Sequence, residues 1–229
     1  MGFPRTIVFD LDGTLVDSAP DLTAALNVAL AAVDRSAIDP AQVRHLVGHG
    51  ARALIERGLA LSGGGDEATV ARALPVFLDY YAAHIADGTR PYPGCEAALD
   101  ALAAPGCVLA ICTNKPEALA RALITALGWE GRFAAIVGGD TLTVRKPAAE
   151  PLLAAIAAAG GDRRDAVFVG DTTVDVATAR AAGVPVIVCG FGFADVPVAT
   201  MGGDAVIASF AELEAAIDRI GSRLASTGA

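Results

Sequence analysis

The apolar runs of this chain constrain its fold more than any other feature. Cys107-Val108-Leu109-Ala110-Ile111 and Val184 to Val188 do not alternate with polar residues, as a strand with one wet face would. They read as strands covered on both sides, the pattern of a parallel sheet. Between such runs the period changes to that of helices. The spacing predicts helix 95–104, strand 107–112, helix 116–127, strand 133–137 and helix 149–159. Strand 166–169, helix 173–182, strand 184–188, a short strand over 205–207 and helix 210–220 follow.

One run stands apart from the others. Thr6 to Phe9 reads as a strand ending at Asp10, and the stretch after it, residues 20–87, has helical patterning and no clear strand. Its first helix runs over 20–33, with Leu22, Leu26, Ala29 and Leu30 near one face; two shorter ones cover 41–46 and 51–59. Ser62-Gly63-Gly64-Gly65 breaks the pattern, and Asp66 can cap the next helix, which carries Val70, Leu74, Phe77, Leu78 and Tyr81. Pro91, Pro93 and Gly94 mark a linker. The economical reading is an α/β fold: an open, mostly parallel, Rossmann-like sheet with a helical cap inserted after the first strand. Residues 1–18 and 89–229 would form the core and 19–88 the cap. A cap there can close over a site at the carboxyl ends of the strands.

Composition excludes several classes of function. Of 229 residues, 54% are hydrophobic and 19% charged, which is a globular and not a disordered balance. Seventeen basic and 26 acidic side chains give a net charge of −9, so neither nucleic acid nor an anionic membrane is an expected partner. No apolar run approaches 18 residues, and no basic stretch followed by an apolar one opens the chain. Cys95, Cys107, Cys112 and Cys189 form no CxxC pair and read as buried thiols, which points to a reducing, cytoplasmic setting. The oligomeric state is left open, a homo-oligomer included.

Polar groups gather where the strands end. Asp10 and Asp12 follow the first strand, Thr113-Asn114-Lys115 the strand over 107–112, Lys146 lies beyond 133–137, and Asp171 and Asp175 follow 166–169. Taken singly, each has an ordinary reading: a turn at Asp10 or Asp12-Gly13, a helix cap at Thr113-Asn114, a loop lysine at Lys146, a strand-to-helix turn at Gly170-Asp171. Together, carboxylates and a lysine at converging strand ends suit a hard cation and a phosphate.

In order, Asp10-Leu11-Asp12-Gly13-Thr14, Thr113, Lys146-Pro147 and Gly170-Asp171-Thr172-Thr173-Val174-Asp175 resemble the four motifs of the haloacid dehalogenase superfamily. The resemblance covers nearly the whole chain and implies Mg²⁺-dependent phosphoryl chemistry. Asp10 would be the nucleophile and Asp12 the acid and base, with Lys146 offsetting charge on Asp10 and the phosphate. Mg²⁺ would be held by Asp10, Asp171 and the backbone carbonyl of Asp12, and Asp175 would stand behind it, holding a metal water or orienting Lys146. Thr113 and Asn114 would contact phosphoryl oxygens. Dehalogenases of the superfamily typically lack the second aspartate, so Asp12 argues against carbon–halogen cleavage.

Within the superfamily the chain is most similar to the bacterial phosphoglycolate phosphatases, through Val47-Gly48-His49-Gly50-Ala51, Thr113-Asn114-Lys115-Pro116, Gly138-Gly139-Asp140 and Arg145-Lys146-Pro147. Gly190-Phe191-Gly192 is close to a GYG-like turn of that group, and no part in the chemistry is expected of it. The implied reaction takes 2-phosphoglycolate to glycolate and phosphate through an aspartyl-phosphate. The substrate class is then a small phosphate ester carrying a carboxylate, and Lys115, Arg52, His49 and Gly50 are the candidates to meet that carboxylate. Two alternatives stay open: a related phosphatase or phosphomutase of other small metabolites or sugar phosphates, and a non-catalytic binding or regulatory protein. A Schiff-base mechanism using a cap lysine is disfavoured, because no lysine occurs between Ser18 and Tyr92.

Overall fold

A computed structural model describes residues 4–103 and 106–227, with side chains described as far as 222. In chain order the elements are β1 (Thr6–Phe9), β2 (Val16–Asp17), α1 (Ala19–Ala31), α2 (Pro40–Val43), α3 (Ala51–Leu61), α4 (Glu67–Ala83), β3 (Arg90–Pro91), α5 (Cys95–Ala103) and β4 (Val108–Cys112). They continue with α6 (Glu117–Ala126), β5 (Ala135–Val137), α7 (Glu150–Ala158), β6 (Ala166–Gly170), α8 (Thr173–Ala182), β7 (Val186–Cys189), β8 (Ala205–Ile207) and α9 (Leu213–Thr227). Residue 104, the expected end of the helix after Gly94, lies outside the described residues.

The main sheet has the order β5-β4-β1-β6-β7-β8, and each of its pairings is parallel. The strand that stands apart in sequence is therefore central: Thr6 pairs with both Val108 and Ala166, and Phe9 with both Ile111 and Val169. The chain builds outward from β1 through β4 to β5, then crosses to β6 on the other side. That reversal opens a crevice beyond the carboxyl ends of the strands, between β1 and β6.

Alternate residues of the strands feed opposite faces. Ile7, Phe9, Ile111, Val169 and Ile187 pack with Leu99, Leu123 and Leu213, whereas Val8, Ala110, Phe168, Val186 and Val188 pack with Leu152, Ile156 and Ala179. Both faces are thus covered, which is why the strands read as unbroken apolar runs.

Helices α1, α3 and α4 bury a core of their own, in which Leu22, Leu26, Leu30, Leu54, Leu59, Phe77 and Tyr81 meet. Gly58 allows α3 to approach α1 closely, since a Cβ there would lie 2.8 Å from Leu26 Cδ1. Leu119 and Phe193 of the core join this cluster, so the cap sits on the sheet's carboxyl end. Asp66 caps α4 as expected, accepting from the Thr69 N–H at 2.9 Å.

The two connections between cap and core are not plain linkers. Val16–Asp17 and Arg90–Pro91 form a two-stranded antiparallel ribbon, β2 with β3, which the sequence reading did not foresee. Beside it Asp21, buried in α1, accepts hydrogen bonds from the Gly88 N–H (2.7 Å), the Thr89 N–H (2.7 Å) and the Thr89 hydroxyl (2.6 Å). The expected helix over 41–46 is one α-turn followed by a 3₁₀ turn. The four cysteines are free, and no helix among the described residues is long and apolar enough to cross a membrane.

Candidate active site

Strand pairing delivers the acidic groups to one point. The Asp10 N–H still bonds to the Val169 carbonyl (2.9 Å), so β1 and β6 stay in register up to the residue where each turns away. Asp10, Asp171 and Asp175 each offer a carboxylate oxygen there, all within 4.8 Å of one another and all buried. Lys146 projects among them, its ammonium 3.1 Å from Asp10 Oδ1 and 2.6 Å from Asp175 Oδ1. Three carboxylates against one ammonium leave an excess of negative charge in a dry place. Burial, opposed in part by Lys146, accordingly raises the Asp10 carboxyl from the ordinary 3.8 to about 6. Burial together with the neighbouring Asp175 and Asp10 raises Asp171 well above its ordinary value. Burial alone would lower the Lys146 pKa, but Asp10 and Asp175 overcome it and raise it.

The three carboxylates differ in what already holds them. Asp175 is fully engaged: Oδ1 takes Lys146, and Oδ2 accepts from the N–H groups of Asp171 (3.1 Å) and Thr172 (3.0 Å) and from the Thr172 hydroxyl (2.7 Å). Asp171 is aimed by one bond on each oxygen, from the Thr14 hydroxyl (2.8 Å) and the Phe193 N–H (2.7 Å). Asp10 Oδ1 is buried and has no hydrogen-bond partner among the described residues.

Thr113 and Asn114 follow β4 into the same crevice. The Thr113 N–H bonds to the Val137 carbonyl (2.9 Å), and Asn114 Nδ2 donates to Gly48 of the cap (3.0 Å) and to the Lys146 carbonyl (3.2 Å), tying three loops together. Lys115 turns inward. Its ammonium contacts both oxygens of Asp12, at 2.6 and 2.7 Å, and the Tyr81 hydroxyl at 2.7 Å. The Ser18 hydroxyl gives Asp12 a further bond at 2.6 Å. Lys115 and Lys146 are the only lysines in the sequence, and both are buried here.

A cavity of about 40 Å³, room for about three waters, lies next to Asp10. Asp10, Asp12, Thr113, Asn114 and Lys115 form its polar floor, and Leu22, Leu54, Phe77 and Tyr81 of the cap cover it with Gly48, Gly50 and Ala51. Gly48 and Gly50 have φ of 104° and 89°, a left-handed backbone that brings the start of α3 down onto the cavity.

The sequence-derived site is thus brought together around Asp10, Asp12, Thr113, Asn114, Lys115, Lys146, Asp171, Asp175 and Gly50. Arg52 is not brought in. Its guanidinium is exposed and pairs with Glu56 one turn on, at 2.9 Å, and with Glu67 of α4. His49 is half-buried and does not line the cavity; burial, followed by the charge of Arg57, lowers its pKa. Lys115 is in place, but all three of its N–H bonds are taken. The turn over 190–192 does bear on the site: Gly192 packs on the Gly13 carbonyl and Asp171, and it leads into the Phe193 N–H that aims Asp171. Tyr81, Thr14 and Ser18 were not foreseen as site residues.

A profile of the haloacid dehalogenase-like hydrolases matches residues 4–183, which contain all of these side chains from Asp10 to Asp175. The chain belongs to the haloacid dehalogenase-like hydrolases. A relative from Rhodospirillum rubrum named phosphoglycolate phosphatase is 48% identical over 216 residues, 92% of this chain and 89% of that protein. Among solved structures, one from Haemophilus somnus described as a predicted phosphoglycolate phosphatase superposes with a TM-score of 0.87 at 31% identity, covering 93% of this chain and 97% of that one. The CbbY protein of Rhodobacter sphaeroides, in complex with phosphate, gives 0.79 at 25% identity, covering 93% and 99%.

Members of this family of haloacid dehalogenase-like hydrolases with a DxD motif imply a magnesium ion, and the residues present fit one. The donors are hard carboxylate oxygens that converge within 4.8 Å, and Asp10 Oδ1, buried without a hydrogen bond beside the Lys146 ammonium at 3.1 Å, keeps lone-pair capacity for a cation. Asp10 and Asp171 have capacity to bind; Asp175, already saturated by donors, fixes Lys146 and the turn around Asp171.

Proposed function

We propose that the chain is a Mg²⁺-dependent phosphatase of small phosphorylated metabolites, and specifically one that hydrolyses 2-phosphoglycolate to glycolate and phosphate. The observation that carries the reading is Asp10: a buried carboxylate whose Oδ1 takes part in no hydrogen bond and stands 3.1 Å from the Lys146 ammonium, beside a small cavity. The names of the relatives support the substrate. The cavity size supports a short leaving group over a sugar ring, which would also need hydroxyl partners that Leu22, Leu54 and Phe77 do not supply.

In this reading Asp10 attacks the phosphorus in line and becomes an aspartyl-phosphate while the ester oxygen leaves. Asp12 passes a proton to that oxygen and takes one from the water that cleaves the acyl-phosphate. Its contacts with Lys115 and Ser18 set it as an acceptor, the role of the second step. Thr113 and Asn114 hold phosphoryl oxygens, and Lys146 offsets the charge gathered on Asp10 and the phosphoryl group. Asp10, Asp171 and the Asp12 carbonyl would hold Mg²⁺, with Asp175 behind them, and the ion would supply charge neutralisation at the phosphoryl oxygens. Residues 1–18 and 89–229 serve as the core and 19–88 as the cap, and four free cysteines support a reducing, cytoplasmic setting.

Phosphate release from a panel of esters, with EDTA and with Mg²⁺ restored, tests this. We expect 2-phosphoglycolate to give the highest kcat/KM and EDTA to abolish turnover. Full activity after rigorous metal removal, or a preference for a hexose phosphate, refutes the corresponding part.

A further inference from the structure

The cavity beside Asp10 must accept whatever the substrate carries beyond its phosphate ester, and, apart from the backbone at the start of α3 (Gly50 and Ala51), its cap side offers mostly apolar groups. Leu22, Leu54 and Phe77 face it from the cap, and Pro116 and Leu119 from the core. Among its lining residues Lys115 is the single cation. An ammonium has three hydrogens and no fourth. Those of Lys115 are matched by two Asp12 oxygens and the Tyr81 hydroxyl, so it has none to give without dropping a partner. Arg52, the other cation expected at the cap, is turned outward onto Glu56 and Glu67.

Tyr81 is in the opposite position. Its hydroxyl accepts from Lys115 and still carries a hydrogen of its own, for which no acceptor is found among the described residues. The ring is 1% exposed and lies under the ammonium, 4.7 Å from ring centroid to Nζ. Burial pushes the phenol up to about 12, so at neutral pH the hydrogen stays in place. An O–H that accepts from an ammonium is polarised and becomes a better donor. Among the described residues, that donor is the one polar side chain that the cap contributes to the lining of the cavity that Asp10 also lines.

We propose that the Tyr81 hydroxyl is the group that recognises the substrate's carboxylate, donating its free hydrogen to it while Lys115 stands behind and holds the hydroxyl in place. The inference rests on the phosphatase reading above and names the residue that gives it specificity. It also gives the cap a part in recognition. The phosphate would lie on residues of the core and the carboxylate on α4, so one short molecule would tie the two together and favour a closed, dry site. A phosphate ester without the carboxylate would forgo that bond.

The test is Tyr81→Phe, which removes one oxygen and keeps the ring, assayed on 2-phosphoglycolate and on ethyl phosphate. Inhibition by inorganic phosphate, which needs the core residues alone, serves as a third readout. A hydrogen bond to a charged group predicts a fall in kcat/KM of about 10–100-fold on 2-phosphoglycolate. Any fall in ethyl phosphate turnover, or in inhibition by phosphate, should be much smaller than the fall on 2-phosphoglycolate. Equal falls on both esters, or a matching loss of phosphate inhibition, would mean that Tyr81 only supports the Lys115–Asp12 contact, and would overturn the proposal. So would a preference for 2-phosphoglycolate that survives the substitution, in which case the substrate reading stands. A wild-type enzyme with no preference between the two esters overturns the substrate reading and this inference with it.

Discussion

Replacing Asp10 by asparagine should have two effects of opposite sign: it should abolish turnover and stabilise the metal-free protein. The second follows from the crowding of Asp10, Asp171 and Asp175 around one lysine. Folding raises the Asp10 carboxyl from 3.8 to about 6, so between those values the native state holds a proton that the unfolded chain has released. Stability contributed by this group is therefore greatest below about pH 4 and falls as pH rises through about 6. At about 1.4 kcal/mol for each pH unit of displacement, the ionised carboxylate costs the native state about 3 kcal/mol as an upper figure. For a chain of this size that corresponds to about 6–12 °C in Tm. The assay is thermal unfolding of wild type and Asp10→Asn in EDTA from pH 4 to 8, with phosphate release measured alongside. The difference between the two proteins isolates Asp10: near zero at pH 4, then growing to a plateau above pH 7 in favour of the variant. Saturating Mg²⁺ should shrink it, since a ligand at a hundred times its Kd adds about 2.7 kcal/mol to the form that binds it. A variant less stable than wild type at pH 8 without metal would refute the reasoning, because the Asp10–Lys146 attraction would then outweigh the burial of the charge.

Lys146→Met should act in the reverse direction, leaving the carboxylates with no counter-charge and costing about 3–5 kcal/mol in urea unfolding at pH 7. Adding Asp10→Asn to it should recover part of the loss. Gly192→Ala places a Cβ inside van der Waals contact of the Gly13 carbonyl and Asp171, so calorimetric titration should show weakened Mg²⁺ binding while the fold persists. Asp21→Ala bares three donors at Gly88 and Thr89, at about 1–3 kcal/mol for each buried donor left unpaired. Limited proteolysis should then cut near residue 88 well before the core.

What was legible in the sequence were the residues whose position follows from strand ends. Asp10, Thr113 and Asp171 sit one or a few residues beyond apolar runs, and a parallel sheet brings such points together whatever lies between them. Groups placed by side-chain reach were harder to read. Lys115 stood out as a cation available to substrate, and nothing in its spacing shows that Asp12 and Tyr81 occupy it. For Arg52 a signal was present, since Glu56 at the fourth position on a helix is a natural partner, but the competing glutamate, Glu67, comes from another helix. Tyr81 was counted as one more apolar residue on a helix face, because periodicity registers the ring and not the hydroxyl. The Phe193 N–H that aims Asp171 is a backbone group and has no residue type to betray it. Strands β2 and β3, two residues each, are too short for any alternation to register.

The ribbon of β2 and β3, with Asp21 bonded across to Gly88 and Thr89, means that the chain leaves and returns through a single doorway. The core also meets the insertion along a contact face at Leu119 and Phe193 and through the Asn114–Gly48 and Lys115–Tyr81 hydrogen bonds. As far as chain connection goes, the doorway would accept any insertion whose two ends fit it, whether four helices, a short hairpin or a larger lid. The architecture is in that sense a socket and a cartridge: on the proposed function, the chemistry at Asp10 would belong to the socket and part of the choice of substrate to the cartridge. Exchanging the stretch between the two halves of the ribbon for that of a relative with a different preference should transfer the preference and leave the reaction as it is.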